Sequence, residues 1–394
     1  MNIDSNETYT NILKYYSRKR LFKDRDKEKS FIDTFAVDVI SNNKCLVSSP
    51  LWVGLKVTPY CNMKCIHCWA DLKGEVRTKN EIFDAIDKFR NLQVLHVTLS
   101  GGEPFLRDDI FEVIEYVKAK RMCLEMFTNG TFLTKEVCNK LDRILNKDTD
   151  SIQVSFDAAS SDTYKAQRGI NKLEKVIQGI KLAKEYGLTV RTNFTATPIN
   201  VKEIYDSYKM ANDLNVDTFS ISHVYDLHKG VDLYDSTKLE EYLAQINKCI
   251  VHESEFNTKL RIFTPMEFLA MNSKVCENLD NDLKIINYDL LLTWFINSNG
   301  DIYPDVTLEV DKLKIGNIYD NTVEEITNNA KKINEYLYER NLTKEKCKRC
   351  SSLPLCKGGD IGRAYRYYGD INYADPRCDF KIEGDELNGI TKTI

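Results

Sequence analysis

What the chain lacks narrows it first. No run of about eighteen apolar residues occurs, so no membrane span is expected. The opening residues, Met1-Asn2-Ile3-Asp4-Ser5-Asn6-Glu7, carry neither the basic nor the apolar region of a secretion signal. Charge of neither sign is in excess: the formal net charge is −4, with no basic surplus of the kind a nucleic-acid surface needs. Low-complexity tracts are absent, as is any repeat beyond an alternation of strand and helix patterns. These absences point to a cytoplasmic globular protein with neither nucleic acid nor membrane as partner. The 394 residues, 42% of them hydrophobic, suffice for one large domain or two ordinary ones.

Cysteine, by contrast, is plentiful. Twelve cysteines in a reducing compartment argue for metal binding over disulfides. Cys61, Cys65 and Cys68 form one cluster, and Cys347, Cys350, Cys356 and Cys378 gather near the C-terminus. Cys45, Cys123, Cys138, Cys249 and Cys276 are isolated and read as small buried hydrophobes.

Strand-like apolar runs recur at Trp52–Val57, Val94–Leu99, Cys123–Phe127, Ile152–Phe156, Leu188–Ala196 and Thr218–Val224. Helical patterns lie between them: Ile82, Ala85, Ile86 and Phe89; Ile110, Val113, Ile114 and Val117; Val176, Ile177, Ile180 and Ala183. Strand–helix alternation predicts an α/β fold with a parallel sheet. No nucleotide-type glycine-rich first turn follows the first strand. The pattern therefore fits a partial (β/α)6 TIM-like barrel better than a Rossmann sheet, with functional residues on the loops after the strands. We divide the chain into an N-terminal extension (1–50), the barrel (51–230), a mostly helical connection (231–283) with Leu239, Tyr242, Leu243 and Ile246 on one stripe, and a cysteine-rich C-terminal domain (284–394). In the extension, Tyr15 to Lys29 reads as a solvated helix or a docking segment for a substrate.

The first cysteines stand as C-x3-C-x2-C at the end of the first strand. Three thiolates can hold three irons of a cubane and leave the fourth open, where chemistry can occur. After the second strand comes Ser100-Gly101-Gly102-Glu103-Pro104. Its glycines let backbone approach a ligand, and Glu103 offers an acceptor for an amine. Thr128-Asn129-Gly130 follows the third strand and Ser155-Phe156-Asp157 ends the fourth. These polar groups can meet a polar ligand, or serve as caps and turns. Arg168 and Arg191 could each clamp a carboxylate bidentately or form an ordinary ion pair. A zinc site from Cys61, Cys65, His67 and Cys68 is the structural alternative, but it leaves Gly101–Glu103 unexplained.

The cysteine spacing and the Gly101-Gly102-Glu103-Pro104 run together resemble the radical S-adenosylmethionine (SAM) superfamily. The C-terminal Cys347-x2-Cys350-x5-Cys356, with Cys378 downstream, resembles a SPASM auxiliary-cluster domain. Arg363-Ala364-Tyr365, Gly369-Asp370 and Asp375-Pro376 extend that resemblance. It implies a SAM-binding [4Fe-4S] cluster on Cys61, Cys65 and Cys68, and one auxiliary [4Fe-4S] cluster on Cys347, Cys350, Cys356 and Cys378. SAM would contact Gly101, Gly102, Glu103, Asn129, Ser155, Asp157 and either Arg168 or Arg191, with His67 packing near the adenine. A second, inner auxiliary cluster is expected to be lost. Gly300 matches its upstream glycine, but Asp305 and Asp360 stand where two of its cysteines belong, and Lys284 to Leu290 has none.

The implied chemistry is reductive cleavage of SAM to a 5′-deoxyadenosyl radical, which abstracts hydrogen from a substrate. A flavodoxin- or ferredoxin-type reductant would supply the electron. Val306 replaces the aspartate base of the sulfatase-oxidising branch, so that branch is disfavoured. Maturation of a ribosomally made peptide is the expectation, with tetrapyrrole side-chain processing as the alternative. An electron carrier or zinc scaffold is the non-enzyme alternative, and it would not bind SAM.

Overall fold

The computed structural model describes residues 49–263, 293–342, 345–348, 358–376 and 378, apart from 71, 73, 226, 228, 230–232 and 234–238. Residues 1–48 of the N-terminal extension, including Tyr15 to Lys29 and Cys45, lie outside the described residues, as do Cys276, Cys350 and Cys356.

Five βα units open the fold. They are β1 (Trp52–Lys56), α1 (Lys79–Asn91), β2 (His96–Ser100), α2 (Ile110–Ala119), β3 (Cys123–Thr128), α3 (Lys135–Ile144), β4 (Ser151–Ser155), a helix pair α4 (Ser161–Arg168) and α5 (Leu173–Glu185), β5 (Val190–Ala196) and α6 (Ile204–Asp213). β6 (Thr218–His223), α7 (Leu239–Val251) and β7 (Lys259–Phe263) follow. The C-terminal part holds β8 (Thr293–Ile296), β9 (Asp301–Tyr303), β10 (Gly316–Asn317), α8 (Val323–Tyr338), α9 (Glu345–Lys348) and α10 (Ile361–Tyr368). Caps match the sequence: Thr78 with Glu81 closes a capping box on α1, and Thr322 with Glu325 does so on α8.

All ten strands form one sheet, in the order β10-β9-β8-β1-β2-β3-β4-β5-β6-β7. From β1 to β7 the order is sequential and every pairing is parallel. Right-handed crossovers that always step the same way put every helix on one face. That face carries the apolar parity: the row Leu55, Leu99, Met126, Ile152 and Val190 is fully buried or nearly so. It packs in one core with Ile82, Phe89, Val113, Val117, Val176 and Ile180 of the helices. The opposite parity is polar and lines the lumen: Lys56, His96, Ser100, Glu125, Gln153, Arg191, Asn193, Thr195, Ser220 and Ser222.

The sheet departs from the expected six strands at both edges. β7 lies in the segment expected to be mostly helical. Its five residues, Lys-Leu-Arg-Ile-Phe, lack an apolar run because an edge strand carries charge to deter further pairing. At the other edge β8 pairs in parallel with β1, far away in sequence, and β9 and β10 continue the sheet antiparallel. The C-terminal part is therefore joined to the barrel by a shared sheet.

Candidate active site

The loop after β1 that carries Cys61, Cys65 and Cys68 is held from three sides. On one side, Gly102 N–H donates to Thr58 O at 2.8 Å and Glu103 N–H to Tyr60 O at 2.7 Å. A Cβ on Gly102 would fall 2.0 Å from Tyr60 O, and one on Gly101 (φ +140°) 2.3 Å from Thr58 O. Glycine is required here because two loops touch backbone to backbone. From a second side, Asn129 Nδ2 donates to Asn62 Oδ1 at 2.7 Å, and Asn62 Nδ2 donates to Thr131 Oγ1 at 2.9 Å. From the third, Lys64 N–H donates to Arg168 O and Ile66 N–H to Gln167 O, at 3.2 and 3.1 Å. Gly169, in the left-handed region at φ +76°, ends α4 against Lys64.

The residues expected to touch SAM divide into groups. Gly101, Gly102 and Asn129 lie against the cysteine loop, as just described. Glu103 belongs there too, but its fully buried carboxylate points inward. It accepts from Thr128 Oγ1 (2.8 Å), Asn129 N–H (2.8 Å) and Phe105 N–H (3.3 Å). Burial pushes its pKa up to about 7, against those three donors. In this arrangement Glu103 fastens the loop after β2 to the end of β3. Ser155 ends β4 on the lumen face, in register with Asn193.

Asp157 and Arg168 are brought together but turned away from a clamp. Arg168 Nε lies 2.6 Å from Asp157 Oδ2, and Arg168 Nη1 donates to Cys65 Sγ at 3.2 Å. Arg191 is placed elsewhere altogether. It is the second residue of β5, roughly 15 Å of strand from the cysteine-loop end, and pairs with buried Glu125. Of the two arginines expected as alternatives for a ligand carboxylate, Arg191 thus lies toward the floor of the lumen, and Arg168 lies against the cysteine loop.

His67 is buried, with Nδ1 2.8 Å from Gln167 Nε2 and Nε2 3.3 Å from Asp157 Oδ2. Both ring nitrogens are thereby engaged away from the thiols, which removes the zinc alternative for this loop. Among the described residues no group of three Cys, His, Asp or Glu side chains closes on one metal ion. Burial raises the Cys61 thiol to about 11 and raises Cys68 as well, while Met63 N–H and Ala70 O respectively are hydrogen-bonded to them. Such thiols ionise when iron binds. Three thiols on one loop are a donor set that a cubane with an open iron could take, and Cys61, Cys65 and Cys68 would hold it.

Several lumen groups were not singled out in the sequence. Asn193 Nδ2 donates to Thr195 Oγ1 (3.2 Å) and Ser222 Oγ (3.1 Å) at the upper end of β5 and β6. Lys56 Nζ lies 4.8 Å from the ring centres of both Trp69, beside Cys68, and Phe295 of β8. The signal was available in the alternation Arg191, Asn193, Thr195 and Ser151, Gln153, Ser155: polar residues at one parity of strands otherwise buried.

In the C-terminal part, Cys347 is buried on α9 and Cys378 is half-buried. Their companions Cys350 and Cys356 lie outside the described residues. At the inner-cluster positions, both aspartates are spent as helix caps. Asp305 Oδ1 accepts from Thr307 N–H and Oγ1, each at 2.8 Å, and Asp360 Oδ1 from Arg363 N–H at 2.6 Å. Arg363 pairs with Asp375 in the interior, Arg366 donates to Thr307 O, and a Cβ on Gly362 would fall 2.3 Å from that same oxygen. A hydrogen-bonded joint between the Asp305 turn and α10 thus takes up an oxygen of each aspartate.

The radical SAM superfamily profile matches residues 55–222, and the SPASM iron–sulfur cluster-binding domain matches residues 291–351. The chain is a radical SAM enzyme with a SPASM domain. Its cofactors are accordingly [4Fe-4S] clusters and SAM. The AdoMet-dependent heme synthase of Methanosarcina barkeri is 25% identical over 85% of this chain and 98% of its own length. The mycofactocin maturase MftC of Mycolicibacterium smegmatis is 23% identical over 86% of this chain and 84% of its own. In fold, this radical SAM enzyme is similar to Streptococcus suis SuiB, solved with the precursor peptide SuiA. The TM-score is 0.71 at 17% identity, covering 91% of this chain and 82% of that one. No helix among the described residues is long and apolar enough to cross a membrane.

Proposed function

We propose that this enzyme matures a ribosomally synthesised peptide. Cys61, Cys65 and Cys68 would hold the cluster, which with SAM would supply hydrogen-abstracting radical chemistry. The chain's own residues hold the loop rigid, keep water out and present the lumen groups Ser155, Asn193, Thr195 and Ser222 to the ligand. The reading rests on one observation: likeness to a maturase, the mycofactocin maturase MftC, across both the barrel and the SPASM part. The substitution of Val306 for a base agrees with a product other than an oxidised side chain. Gly101, Gly102 and Asn129 would border the SAM site, the auxiliary cluster on Cys347, Cys350, Cys356 and Cys378 would relay electrons, and a flavodoxin- or ferredoxin-type protein in the cytoplasm would reduce the enzyme.

A tetrapyrrole substrate is the second reading, favoured by the likeness to a haem synthase over nearly all of that relative's length. Anaerobic co-expression with short peptides encoded beside the gene tests the two. A peptide that loses a pair of hydrogens, in cells making this enzyme but not its Cys65→Ala variant, is the expected result. SAM cleavage without any peptide change, together with turnover of an iron porphyrin, would replace the peptide reading with the second.

A further inference from the structure

Of the three thiols on the β1 loop, Cys65 receives a cation directly among the described residues. Arg168 Nη1 donates to its Sγ at 3.2 Å. That guanidinium is buried, at 6% exposure, on the last residue of α4. It cannot swing freely, because the backbone around it is tied to the same loop: Arg168 O accepts from Lys64 N–H, and Gly169 abuts Lys64. Behind it stands Asp157, fully buried, with Oδ2 2.6 Å from Arg168 Nε and 3.3 Å from His67 Nε2. Asp157 is itself fixed by Thr195 N–H, which donates to Oδ1 at 2.7 Å. The line from thiol to cation to carboxylate is thus built from two loops and the end of α4, and closed to solvent.

Each reduction of an iron–sulfur cluster adds a negative charge that its ligand sulfurs share. A cationic N–H aimed at one of those sulfurs favours the reduced form, and hydrogen bonds to sulfur are among the factors that set such potentials. Inside a protein the effect is less screened than in water. A carboxylate behind the cation opposes it. Arg168 alone would draw the potential upward, and Asp157 returns part of that shift. We propose that Arg168 and Asp157 are an opposed pair of positioning residues that set the reduction potential of the cluster bound through Cys65.

The test is an anaerobic redox titration of the reconstituted full-length protein, followed by electron paramagnetic resonance. The relevant cluster is the one whose signal changes when SAM is added. Arg168→Gln keeps an N–H but removes the charge, and it lowers the potential. Asp157→Asn uncovers the cation and raises it. Arg168→Lys keeps the charge and stays near the parent value. Iron content and circular dichroism establish that each variant is loaded and folded. Should Asp157→Asn fail to load, the Lys and Gln variants at Arg168 still decide, since charge alone distinguishes them. Equal potentials in those two variants, or shifts of one sign in Arg168→Gln and Asp157→Asn, overturn the proposal. So would an Arg168→Gln variant that weakens SAM binding while its potential, measured without SAM, is unmoved. That result would return Arg168 to the role of carboxylate clamp.

Discussion

At the scale of single residues, the glycine–glycine–glutamate run shows how a binding motif is also a structural joint. The close approach of Gly102 to Tyr60 leaves no room for a methyl group. Gly102→Ala forces the cysteine loop outward at a cost of about 1–3 kcal/mol. The expected outcome is a lowered thermal midpoint and reduced iron retention after anaerobic reconstitution; a fully loaded alanine variant would contradict it. Glu103 gives a pH dependence with a definite sign. Its carboxyl titrates at about 7 when folded, against 4.5 for the ordinary group. Between those values the folded state binds more protons, so the metal-free protein loses stability as pH rises from about 4.5 through 7. The full effect is about 3 kcal/mol. Urea midpoints measured across that window, compared with Glu103→Gln, check it: the parent's downward slope should flatten in the variant. The motif itself was legible in the sequence. The direction of the carboxylate was not, because it depends on Thr128 and Asn129, donors contributed by another strand.

Among elements, helices were the easier half of the reading. The stripes Ile82, Ala85, Ile86 and Phe89 and Ile110, Val113, Ile114 and Val117 are buried as their period requires. Strand β7 escaped notice because Lys259 and Arg261 break its apolar pattern, and β10 is only two residues long. The two aspartates of the C-terminal part belong to this scale as well. Sequence placed them where cysteines of an inner cluster belong, and the structure uses each as the N-cap of a helical turn. Asp360→Ala should therefore cost about 1 kcal/mol through the loss of the α10 cap. It should leave the iron and sulfide content of the reconstituted protein unchanged. Iron lost in proportion to one cluster, with stability unaltered, would instead make Asp360 a ligand.

For the whole molecule, the deciding fact is the continuity of the sheet. Alternating strands and helices made the parallel barrel legible, and the conserved direction of the crossovers follows from chain handedness. Nothing in Thr293–Ile296 announces that it will lie beside Trp52–Lys56, since pairing across that separation is set by the assembled barrel and not by local pattern. The consequence is that β1 is an interior strand with the SPASM part attached, and an open edge without it. Val53 and Leu55 are fully buried, and Lys56 rests between Trp69 of the cysteine loop and Phe295 of β8. A chain ending at Phe263 would keep every residue of the SAM-cluster loop yet expose the hydrogen-bonding edge of β1, whose one charged residue, Lys56, stands at its end and leaves Trp52 to Leu55 uncharged. Such an edge pairs with other chains. The truncated protein should aggregate, seen as early elution on size exclusion and loss of the cooperative thermal transition of the full chain. A monomeric fragment that unfolds cooperatively and still loads one cluster would show that the barrel is complete by itself and that β8 adds only a docking contact. On the present geometry the SPASM part is a structural member of the barrel as well as the carrier of a second cluster, so losing it should cost the first cluster its scaffold.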